Sequence, residues 1–86
     1  MTEKEYNIIR TLENNCREVL KKVSNIENIK NTKELVELHD EVERTLEIIY
    51  NLSKSSRITS QHGVYLLEQM KLGLCEMLTV LDEMIP

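Results

Sequence analysis

Glycine and proline are nearly missing from this 86-residue sequence, at two and one, and phenylalanine and tryptophan are missing altogether. Turn-dense β architectures need a breaker at every reversal, so this scarcity points to a few long helices. Cysteine is equally sparse. Cys16 and Cys75 are too few to staple so small a domain, which fits a reducing, cytoplasmic setting. No run approaches the roughly 18 apolar residues that a membrane span needs. The opening MTEKEY lacks the cationic-then-apolar order of a secretory signal, so no membrane contact is expected.

The chemistry-bearing motifs are lacking too. There is no Gly-rich phosphate loop, no Cys-x-x-Cys and no adjacent nucleophile and base. The reading is therefore non-enzymatic, with no cofactor and no metal. A di-iron bundle needs Glu-x-x-His pairs, and neither His39 nor His62 has Glu at that spacing. His39 and Glu43 stand one helical turn apart without a third ligand. A net charge of −4 argues against direct binding of nucleic acid or anionic lipid, which require a cationic surface.

What is present is the composition of a folded domain, 41% hydrophobic and 30% charged. At this length the buried fraction is modest, so a partner or a second copy would add stability. Apolar residues recur in steps of three and four, which predicts a single all-α domain over 1–86 with helices at about 3–24, 32–53 and 60–84. The expected fold is a three-helix antiparallel bundle, or a helical hairpin plus a third helix, dimerising through helix three.

Thr2 and Glu5 have capping-box spacing at the first start, where hydroxyl and carboxylate each satisfy a free backbone N–H. Ile9, Leu12, Cys16, Val19 and Val23 draw the first buried stripe. The Asn-rich stretch 25–31 reads as a turn tacked down by Ile26 and Ile29, and Asn31 or Thr32 caps helix two. Leu35, Leu38, Val42, Leu46, Ile49 and Leu52 form its inner face. SKSSRITS makes the second connection, with Thr59 or Ser60 as cap and Ile58 fixing the entry angle.

Helix three repeats the pattern at Leu67, Met70, Leu74, Met77, Leu81 and Met84, but Val64, Leu66, Leu72, Cys75, Leu78, Val80 and Ile85 carry apolar surface around most of its circumference. Two narrow-striped helices do not cover such a helix, so a strip should stay open. Leu66, Met70, Leu74, Met77, Leu78 and Leu81 are the candidate dimer or partner face. Gly63 reads as a tolerated cost in the first turn, and Gly73 as a place of close helix approach.

Between residues 34 and 47 helix two carries Glu34, Glu37, Asp40, Glu41, Glu43 and Glu47 against Arg44 alone. Of these, Glu34, Glu37, Asp40, Glu41 and Glu47 form a candidate acidic ridge for docking another protein, including a nucleic-acid-binding one whose basic surface it would occupy. The run Glu37-Leu38-His39-Asp40-Glu41-Val42, with Leu46, resembles the phosphoacceptor box of a class of sensor histidine kinase dimerisation helices. The resemblance implies a dimeric bundle with His39 phosphorylated and Asp40 as its acidic neighbour. It covers about ten residues, Arg44 stands where the family has Gln, and the 86 residues contain no ATP-binding domain.

These features favour a small protein-interaction module that regulates or inhibits a larger protein, in the manner of phage- or mobile-element-type inhibitors. A homodimeric structural subunit or secretion-type chaperone is the alternative, and phosphotransfer through His39 the third reading. No motif selects among them.

Overall fold

Three amphipathic stripes wind into three long helices because nothing interrupts them. A computed structural model, describing residues 2–29 and 31–85, has α1 at Glu3–Ser24, a 3₁₀ turn at Ile26–Asn28, α2 at Thr32–Lys54 and α3 at Gln61–Met84. The bounds lie within one residue of those expected. Lys30, in the expected turn, falls outside the described residues. Each start is capped as its sequence suggests. Thr2 Oγ1 accepts the Glu5 N–H, Asn31 Oδ1 the Lys33 N–H and Ser60 Oγ the Gly63 N–H, contacts worth about 1 kcal/mol each.

The helices run up, down and up. His39 of α2 meets Asp82 of α3, and Lys71 of α3 lies over the Tyr50 ring, so these two are antiparallel. Glu5 reaches Thr59, and Ile9 shares a cleft with Leu66, so α1 and α3 are parallel. One continuous core joins all three, from Ile9, Leu12 and Val19 through Leu35, Leu38, Val42, Leu46 and Ile49 to Leu67, Leu74 and Leu81. Ile26 and Ile58 close it at the connections. Packing is most extensive between α2 and α3 and least between α1 and α2. The result is elongated, 43 × 19 × 16 Å. Among the described residues no helix is long and apolar enough to cross a membrane.

Glu5 departs from the expected capping box. Its carboxylate does not return to its own helix start. Oε1 instead accepts the Thr59 N–H and the Thr59 hydroxyl, each at 3.0 Å, at the threshold of α3. The side chain is buried, and Oε2 accepts no well-aligned hydrogen bond. The Thr59 amide, then the Ser60 hydroxyl, hold the carboxyl below its ordinary range against the opposing effect of burial. This is an anion at a helix start, where free N–H groups favour negative charge.

The sign of the linkage follows. A carboxyl with lowered folded pKa adds stability above its unfolded pKa and loses it as pH falls through the folded value. Glu5→Gln is therefore expected to lower Tm by several degrees at pH 7, and the gap from the wild type to narrow progressively below about pH 4.5. A Tm difference independent of pH between 7 and 3 would show that the anion contributes nothing.

Two expectations about α3 need correction. Leu74 and Leu81, placed on a dimer or partner face, are completely buried among the helices, so neither is available to another chain. The glycines also exchange roles. A Cβ at Gly63 would lie 2.8 Å from Ser60 Oγ and 2.9 Å from Ile58 Cγ2, whereas at Gly73 it would meet nothing within 4 Å. Close approach within the chain occurs at Gly63, because the cap hydroxyl and the Ile58 side chain both fold over the first turn.

Candidate interaction surfaces

The acidic ridge divides once the helices are packed. Glu34, Glu37, Asp40 and Glu47 are exposed and form no ion pair among the described residues. Glu41 is half-buried and holds Lys22 of α1 through both oxygens, at 3.1 and 2.9 Å. Its charge ties α1 to α2, so it is not a free part of the ridge. The outward remainder is centred on Glu37, Asp40 and Glu47, on the side of α2 away from the core.

His39 is held between carboxylates. Nε2 lies 2.8 Å from Asp82 Oδ1 and Nδ1 3.3 Å from Glu43 Oε1, with the side chain 19% exposed. A phosphoryl group approaching either nitrogen would meet negative charge, and the imidazole joins α2 to the end of α3. The expectation that His39 and Glu43 lack a third ligand needs correction, because Asp40 joins them with ligand atoms all within 4.8 Å of one another. Asp82 and Glu43 occupy opposite nitrogens, so one ion cannot draw on the ring and both of these acids.

Several hydroxyls are tied up within their own helices. Thr11, Thr45, Ser53 and Thr79 donate to carbonyls one turn back, a common internal use of such groups in helices. Burial, reinforced by Glu13, pushes the Cys16 thiol up, which disfavours the nucleophilic thiolate. The clefts are open furrows. One between α1 and α2 is lined by Ile8, Leu12, Ile48 and Leu52 with Arg57 at its end. Another between α1 and α3 carries Arg10, Glu13 and Arg17 beside Leu66.

The open apolar strip on α3 is real but differently placed. Tyr65, Leu72, Val64, Val80 and Met84 are each more than 40% exposed, as is Leu20 on α1. Of the residues expected to face a partner, Leu66, Met70, Met77 and Leu78 are half-buried. A second row, Leu66, Met70, Gly73, Met77, Val80 and Met84, also advances by four and three. It was readable in the sequence, but sharing Met70, Met77 and Met84 with the core row concealed it. The chain matches no family model, no curated protein and no solved structure, so these surfaces are interpreted from their own chemistry.

Proposed function

We propose that this chain is a non-enzymatic protein-interaction module, a regulator or inhibitor that docks on the basic surface of a larger protein through Glu37, Asp40 and Glu47 of α2. The observation behind this is that these carboxylates stand exposed and without ion pairs among the described residues on an otherwise committed helix. This face also holds Arg44, between Asp40 and Glu47, but carboxylates outnumber cations from Glu34 to Glu47, and a predominantly acidic face on a rigid helix steers an oppositely charged partner and suppresses wrong ones. A nucleic-acid-binding protein, whose site already accepts phosphates, is one such partner. The committed hydroxyls and the raised Cys16 pKa weigh against nucleophilic catalysis. A cytoplasmic location and a homodimeric state belong to the same proposal, the latter supported by the apolar strip that the chain's own helices leave open.

The test is reversal of three charges, Glu37→Lys, Asp40→Lys and Glu47→Lys, leaving Glu41 in place because it pairs with Lys22. The partner retained by the tagged wild-type chain should be lost by the triple variant, with helicity by circular dichroism unchanged. It should also elute from the wild type as ionic strength approaches about 1 M, where charge attraction reaches only ~3 Å. Retention by the triple variant at wild-type level would exclude the ridge.

A further inference from the structure

We infer that the α1/α3 face is the contact between two copies of this chain, related by a twofold axis parallel to the helices, with α1 of each copy on α3 of the other and Arg17 crossing Gly73 to meet Glu76. This rests on the homodimeric reading above and adds its face and register.

Gly73 supplies the first argument. Glycine inside a helix lowers its stability relative to alanine, and nothing in this chain requires it, since a Cβ there would meet open space. It sits midway along the row Met70, Gly73, Met77, Val80 and Met84. That row lies on the α1 side of α3, because Leu66, which continues it, shares a cleft with Ile9 and Arg10. Across the furrow Leu20 stands 49% exposed. An apolar furrow with a gap at its centre is suited to an incoming side chain.

Charge then selects the occupant and the symmetry. The outer edge of α1 carries Arg10, Arg17 and Lys21 with Glu13 among them, and the outer edge of α3 carries Glu76 and, two turns on, Glu83. Arg17 and Lys21 are 71% and 74% exposed, with only loose contacts to Glu13 and Glu18 at 4.0 and 3.8 Å, pairs of little energetic weight. Two such faces can meet about a twofold axis in two ways. An axis across the helices would lay α1 on α1, where each copy brings three cations and a single carboxylate, Glu13, so the face stays net positive against itself. An axis along them lays α1 on α3.

The register follows from the parallel course of α1 and α3. With Ile9 beside Leu66 and equal rise on both helices, Arg17 is level with about residue 74 and Lys21 with about residue 78. A twofold axis along the helices preserves those levels. Glu76 therefore falls between Arg17 and Lys21 of the second copy, and Gly73 lies directly under the Arg17 side chain. Leu20, Met77 and Val80 of both copies fill the furrow between. The extents of the molecule, 43 Å by 19 Å at the widest, set an upper bound of about 800 Å² per copy for such a face, which reaches the size of a standard specific interface.

The experiment is sedimentation equilibrium of the wild type, Arg17→Glu, Glu76→Arg and Gly73→Leu at about 1 to 100 μM. The wild type should dimerise. Arg17→Glu and Glu76→Arg should each raise the dimer Kd at least tenfold, because each homodimer then holds two like-charge contacts. Mixed in equal amounts they should recover wild-type affinity, since every introduced charge then faces an opposite one. Gly73→Leu should abolish the dimer while keeping or raising helicity. A wild type monomeric at 100 μM would overturn the homodimeric reading and this face with it. A wild-type dimer that tolerates all three substitutions would overturn the face alone, and failure of the mixture to recover would overturn the register.

Discussion

Replacing Leu74 by Ala is expected to remove about 3–5 kcal/mol of unfolding free energy, the range for a large buried aliphatic whose cavity collapses incompletely. Leu74 is completely shielded from solvent at the middle of α3, where α1 and α2 both pack against the helix. The cavity would be walled by neighbours from separate elements, each fixed by its own contacts. For a domain of this length the total stability is roughly 4–13 kcal/mol, so this variant should sit close to unfolding at room temperature.

The control is two residues away. Leu72 is 55% exposed, and Leu72→Ala should change stability by no more than about 0.5 kcal/mol. Urea titration with matched m values measures both. Similar losses at 72 and 74 would mean that α3 is rotated about its axis relative to this packing.

Gly63→Ala should destabilise the chain by about 1–3 kcal/mol, the cost of overpacking a tight site. Alanine is the better helix former by ~1 kcal/mol, so propensity alone predicts the opposite sign. The added methyl, however, falls within 3.0 Å of the Ser60 hydroxyl and of Ile58 Cγ2. The first is held by its bond to the Gly63 N–H and the second is buried, so neither can withdraw without releasing the cap or opening the core edge.

At Gly73 no such opposition exists. Gly73→Ala should stabilise the monomer by about 0.5–1 kcal/mol, measured at low micromolar concentration so that association does not contribute. Opposite signs at the two glycines are the expected result. The same sign at both would show that propensity dominates and that the start of α3 is looser than its contacts indicate.

Much of this architecture was legible in the residues. Caps at Thr2, Asn31 and Ser60 and the three-four rows placed every helix within a residue, because with so few breakers periodicity and capping point the same way. What stayed hidden depended on pairs distant in sequence. Nothing local distinguishes Glu41, bound to Lys22, from its exposed neighbour Glu37. The row through Leu67, Leu74 and Leu81 is legible as the inner face, but on an almost uniformly apolar α3 its edges are not, so Leu74 and Leu81 fall on the expected partner face as well. Glu5 had a sound local role available, and only the return of the chain at Thr59 supplied a better one.

That return has a kinetic side. The Glu5 carboxylate reaches 54 residues along the chain to Thr59, so closing it carries the entropy of a loop more than half the chain long. Each start keeps its own cap, at Thr2 and at Ser60, and the Glu5 carboxylate joins the two. The opening turns of α1 and α3 are therefore expected to open as one unit. Their backbone amides should exchange with solvent together, ahead of the middle of α3.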